Sequence, residues 1–171
     1  MFRVKGLKKG LVWLWLTLVL SACGGGTGFH LRGSDPMAIQ SLKVAVEGED
    51  STEFGSLVRL ALQTRGAVLS DASSAEVVLT LQTPIESRRV SGYSATRAVS
   101  AFRYTTEARF GLKRQGAAEA LIDSVAQSQV QAYDSEYVLG TQEEADQIKA
   151  NLKRDVARLL ALKVAAFKHN P

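Results

Sequence analysis

Between Ser41 and Val46 the apolar residues Leu42, Val44 and Val46 alternate with Lys43 and Ala45, a period of two that predicts a strand. The period then lengthens. Phe54, Leu57, Val58, Ala61 and Leu62 fall three or four residues apart, as one helical stripe, and Gly66 suits the left-handed position that closes such a helix. Alternation returns at Val77 to Thr83, where Val77, Leu79 and Leu81 share a face, and again from Phe102 to Lys113. There Tyr104, Thr106, Ala108, Phe110 and Leu112 lie on one side, with Arg103, Thr105, Glu107, Arg109 and Lys113 on the other. A fourth strand, about Ala120 to Tyr133, is expected to turn Ile122, Ala126, Val130 and Ala132 inward and Asp123, Gln127, Gln129 and Gln131 outward. The last element reads as a long helix opening on a capping box, Thr141-Gln142-Glu143-Glu144. Its buried stripe is Ile148, Leu152, Val156, Leu159, Leu160, Val164 and Phe167.

The order β-α-β-β-β-α, with a single apolar stripe on each helix, is most simply built as an α/β (α+β) sandwich: a four-stranded mixed sheet with two helices on one face. The crossover through the first helix makes strands one and two parallel, and the short later links make the rest antiparallel. Breaks are expected at Gly33 to Pro36, Gly48 to Thr52, Ser70 to Ala75, Ser91 to Ser94 and Gln115 to Gly116.

Ahead of this domain stands a different pattern. Arg3, Lys5, Lys8 and Lys9 precede the apolar run Leu11 to Leu20, which is too short for the roughly 20 residues a bilayer-spanning helix needs. Leu20-Ser21-Ala22-Cys23 follows, so the whole resembles a bacterial lipoprotein signal, in which the cysteine thiol receives the lipid. An ordinary secretory leader cut near Ala22 is the plainer reading. It would leave the chain's single cysteine as a free thiol in an oxidising compartment. The expected division is a leader over 1–22, an acylated Cys23 with a glycine-rich tether over 23–28, and one domain over 29–171 of a 149-residue mature chain. Two or more acyl chains, at about 0.8 kcal/mol per buried methylene, would hold that domain on a membrane.

The leader also changes the charge. The formal +4 is that of its four basic residues, and what remains carries 17 Lys and Arg against 17 Asp and Glu, which gives no reason to expect a nucleic-acid partner. No hydrolase triad is apparent, since the two histidines are His30, by the tether, and His169, near the end. No spaced Cys or His pairs suggest a metal, no Walker or dinucleotide fingerprint suggests a nucleotide, and Glu143, Glu144 and Asp146 are explained by capping. No cofactor and no enzymatic activity are expected.

One segment is unusual. From Arg88 to Arg114 the chain carries Arg88, Arg89, Arg97, Arg103, Arg109, Lys113 and Arg114 against Glu107 as the single acid. Forked guanidinium donors match phosphate geometry, so this is either a surface for an anionic ligand or a solvated sheet face balanced by Asp123, Asp134 and Glu136. Arg97 adjoins the Ser91-Gly92-Tyr93-Ser94 stretch, where a side chain can be displayed beyond a sheet edge. Tyr93, Tyr133 and Tyr137 stand at strand ends, as interface or core-capping residues.

Gly28-Phe29-His30-Leu31-Arg32-Gly33, shortly after the cysteine, resembles the start of the LptE family, and the order of elements agrees along the mature chain. The resemblance implies an outer-membrane lipoprotein on the periplasmic side, anchored by palmitate-type acylation at Cys23. It implies a plug and assembly partner for an LptD β-barrel, and binding of lipopolysaccharide. Ligand contact would fall on basic residues at the sheet's end: Arg97, with Arg88, Arg89 and Arg103 around it, while Gln142 stands where a relative has lysine. The residues Gly24 to Thr27 lengthen the family's usual tether, and Phe29 to Gly33 read as a short edge strand. A lipid-anchored periplasmic carrier with its own apolar cavity is the alternative.

Overall fold

In a computed structural model of the chain, residues 39–49, 52–134 and 138–169 are described, all within one compact unit, Met37–Pro171. The leader, Cys23, the tether and the edge strand expected at Phe29 to Gly33 lie outside the described residues.

The first strand, β1 (Lys43–Gly48), buries Leu42 beside it and Val44 within it, as the alternation requires. Helix α1 (Glu53–Thr64) is capped by Thr52, whose Oγ1 accepts from the Gly55 amide at 3.1 Å, and it buries Phe54, Val58 and Leu62. It ends as expected, with Gly66 at φ +91° and the Ala67 amide reaching back to the Leu62 carbonyl at 3.1 Å. Two-residue β2 (Val68–Leu69) and then β3 (Val77–Leu81) both lie parallel to β1, one on each side. Next come β4 (Ile85–Tyr93), β5 (Val99–Arg114), β6 (Leu121–Ala132) and the long helix α2 (Val138–His169).

The sheet therefore has six strands, not four. Its path runs β2-β1-β3-β5-β4, with β6 on the other edge of β5. Strands β3 and β4 occupy successive stretches of one β5 edge: Leu81 lies opposite Phe110 and Ile85 opposite Glu107. Three residues, 82–84, thus stand against two, and the bulge holds Pro84, which has no amide to give a ladder. The sequence conceals β2 because two residues show no period. It conceals β4 because all but one of its nine residues are exposed, so neither face carries an apolar alternation.

Both helices lie on one face, as expected. Phe110, Leu112 and Ala108 of β5, with Val77, Leu79 and Leu81 of β3, meet Phe54, Val58 and Leu62 of α1 and Val156, Leu160 and Val164 of α2 in one buried cluster. Tyr104, Ala145, Ile148 and Leu152 form a second cluster, on the part of β5 flanked by β4 and β6.

Two local expectations are reversed. On β6 the helix-facing side chains are Asp123, Val125, Gln127, Gln129 and Gln131, because the register with β5 sets Val125 opposite buried Ala108 and Gln131 opposite Phe102. Ile122, at 77% exposure, and Val130, at 46%, lie on the helix-free face instead. Helix α2 begins at Val138, so Thr141 and Glu144 are inside it and form no capping box. They take another role: Gln131, 2% exposed, donates through Nε2 to the Thr141 carbonyl at 2.7 Å and to Glu144 Oε2 at 2.9 Å. A buried amide is thereby satisfied and β6 is fastened to the helix.

Ion pairs add further ties across the elements. Lys163 of α2 reaches Asp123 of β6 at 2.8 Å, and its hydrogen bond, with one from the Ser124 amide, holds the Asp123 carboxyl below the usual range. Lys153 stands between Glu86 of β4 at 3.1 Å and Glu53 of α1 at 3.5 Å. At the far end of α2, Arg114 donates to the Phe167 carbonyl at 2.7 Å and lies 4.9 Å from that ring's centre.

Candidate functional site

The basic segment folds into the β4–β5 hairpin, and the hairpin sorts its charges. Arg109 pairs with Glu107 at 3.2 Å and Arg114 is committed to Phe167, so these two serve the fold. Lys113 is exposed on β5 opposite Val78.

Arg89 lies directly opposite Arg103 on the helix-free face, where side-chain parity also places Ser87, Thr105 and Val130. Like charges opposed across two strands repel and lower stability. Among the described residues neither arginine has a carboxylate partner; Arg103 Nη1 only approaches Ser128 Oγ, at 3.4 Å. The structure thus holds two forked donors side by side with no carboxylate of a described residue to pair them.

Arg97 sits in the hairpin tip, Ser94 to Ala98, whose Ser94 amide donates to the Ala98 carbonyl at 2.8 Å. The expected loop is shifted, because Ser91 to Tyr93 belong to β4 and a bulge around Gly92 carries the strand onward. Arg97 has φ +63°, a left-handed conformation uncommon outside glycine and asparagine, and its amide is tied to the Ser94 carbonyl at 3.0 Å. Its side chain is exposed, and exposed Tyr93, the last residue of β4, immediately precedes the tip.

Arg88 points the other way. It pairs with Tyr104, on the helix-facing side, and its guanidinium lies 4.6 Å from the Phe102 ring centre. Tyr133 meets that ring edge-on, with centroids 5.1 Å apart, which assigns this tyrosine to packing. The four arginines expected to share a ligand are therefore divided: Arg89 and Arg103 on one face, Arg88 on the other, Arg97 at the tip. Parity could separate Arg88 from Arg89 once β4 was known to be a strand, but the sequence hid that strand.

Gln142 is exposed on α2 and lies 3.4 Å from Asp146. Tyr137, His30 and the side chain of His169 lie outside the described residues. Among those described, no three metal-ligating side chains converge, and no helix is long and apolar enough to cross a membrane.

The family model for LptE, described as lipopolysaccharide-assembly, matches residues 39–164, most of the chain. The chain belongs to the LptE family. Its fold is shared by solved structures of low identity. One is the rare lipoprotein B of Shewanella oneidensis, 18% identical, with a TM-score of 0.65 over 75% of this chain and 97% of that one. Lipoprotein B of Nitrosomonas europaea gives 18% and 0.67 over 84% and 94%. A minor lipoprotein of Acinetobacter baumannii gives 16% and 0.61 over 74% and 92%. No curated protein matches the chain. Membership assigns this LptE-family protein to lipopolysaccharide assembly.

Proposed function

We propose that this LptE-family protein is a non-enzymatic outer-membrane lipoprotein that plugs an LptD-like β-barrel, assists the barrel's assembly and contacts lipopolysaccharide through the hairpin. In this reading residues 1–22 are removed, Cys23 carries the acyl chains, the tether follows and the domain from residue 29 onward seats in the barrel from the periplasmic side. The observation that carries the ligand contact is the opposed pair Arg89 and Arg103, which among the described residues lacks a carboxylate and lies on a face that neither α1 nor α2 covers. Arg97 at the tip extends the same positive surface. Phosphate groups of a glycolipid would relieve the repulsion of the pair, while Val130 and Tyr93, both exposed nearby, suit apolar chains.

Two experiments test this. A tagged full-length protein is expected to co-purify with a large barrel from solubilised outer membranes, and Cys23→Ala to leave the membrane fraction when no barrel is present. Recovery as a partner-free species in mild detergent would refute the plug. For the ligand, Arg89→Glu and Arg97→Glu should each weaken binding of purified lipopolysaccharide about tenfold or more. Arg97→Gly is the sharper variant, because it relaxes a left-handed backbone while removing the charge. Unchanged binding in all three would remove the hairpin from the site.

A further inference from the structure

On the helix-facing side of the hairpin a cleft of about 140 Å³ opens between β4 and α2, lined by Glu86, Arg88, Tyr104, Thr106, Lys149 and Leu152. We infer that this cleft is a binding site for a single oxyanion group, a phosphate or a carboxylate, held by Arg88, Lys149 and the hydroxyls of Tyr104 and Thr106.

Two carboxylates nearby are occupied: Glu86 by Lys153 at 3.1 Å, and Asp146 by Lys149 at 2.9 Å. Arg88, which lines the cleft, has no carboxylate among the described residues, and its guanidinium rests 4.6 Å from the Phe102 ring centre.

The two hydroxyls supply the second observation. Tyr104 is 4% exposed and Thr106 1%, yet neither makes a hydrogen bond to a described residue. Among the described residues only Ser70 Oγ is both wholly buried and unbonded, so the slight accessibility of Tyr104 and Thr106 includes their oxygens, and both residues line this cleft. Buried polar atoms normally find partners. What the cleft leaves unused is a guanidinium, spare ammonium protons on Lys149 and two hydroxyls able to donate, a set that calls for an acceptor-rich anion. Leu152 and the tyrosine ring leave apolar wall for part of the carbon skeleton bearing it.

This site is on the opposite side of the sheet from Arg89 and Arg103, and it stands whether or not those residues meet lipopolysaccharide. The test is an amide-resolved NMR titration of the full-length protein in mild detergent with inorganic phosphate. Saturable shifts are expected at Arg88, Thr106 and Lys149, with affinity lowered at least tenfold in Arg88→Gln and in Thr106→Val and unaltered in Lys113→Gln. Each variant's spectrum reports its own fold. Absence of saturation, equal affinity in Arg88→Gln, or shifts confined to Arg97 and Arg103 would overturn the site and leave the cleft to water. Micelles doped with phosphatidic acid distinguish the source. Competition with phosphate assigns the site to a lipid headgroup, and undisturbed phosphate binding assigns it to the free anion.

Discussion

Lys153 joins three elements through one ammonium group, since Glu86 belongs to β4, Glu53 to α1 and the lysine to α2. The hydrogen bond to Glu86, followed by the charges of Glu86 and Glu53, raises the lysine's pKa above its ordinary 10.5 against the opposing effect of burial. Folding thus increases its affinity for a proton. The stabilisation is complete below the ordinary value and is lost as pH rises through the higher folded one. Lys153→Met is expected to lower stability by about 1 kcal/mol or less at neutral pH. In urea titrations the gap from wild type should stay constant to pH 9 and close above roughly pH 10.5, in step with lysine titration. A gap that widens with alkalinity would contradict this sign. Asp123 has the opposite dependence: its bond to Lys163 contributes above the usual aspartate range and is lost as pH falls through the lowered value.

The elements show where residue patterns were sufficient. β1, α1, β3 and β5 were legible because each has one dry face and one wet face, and Phe110 or Val58 in the wrong phase would break a visible period. The site was less so. β4 gives no alternation to read, and on β6 the apolar Ile122 and Val130 outweigh Asp123 and Gln131 in any count of hydrophobicity. What decided the β6 face was register against β5, a tertiary pairing that local sequence does not encode. The start of α2 was misplaced for a related reason, since Glu144 is recruited by Gln131 from another element. At the end of β1, Gly48 has φ +86°, and a Cβ there would collide with the Leu81 carbonyl oxygen. Gly48→Ala should therefore cost at least about 2 kcal/mol, from the left-handed backbone and the overlap together. A thermal melt checks this, and a midpoint within a degree of wild type would sink it.

Across the whole molecule, one layer of two helices covers one face of the sheet, and the other face carries Arg89, Arg103, Ile122 and Val130. A sheet face that presents charge repulsion and isolated apolar side chains together is suited to being enclosed by something larger, which is how a plug would use it. The fold also depends on its last element. Helix α2 supplies buried residues to both core clusters. Ending the chain at residue 137 is expected to abolish the cooperative unfolding transition and to produce dye-binding, aggregation-prone material. A cooperative melt in that truncation would show that the sheet closes alone.

The sixteen residues of β5 have partners on both sides in sequence as well as in space, with β3 and β4 made before them and β6 after. A chain emerging from its N-terminus therefore passes through a long interval in which β1 to β5 can pair while the apolar side of β5 has only helix α1 to cover it. That interval ends only when the final thirty or so residues appear, each added at the pace of export or synthesis. Until then the nascent protein exposes apolar surface of the kind that aggregates. Its own vulnerable period is set by the distance between its central strand and its C-terminus.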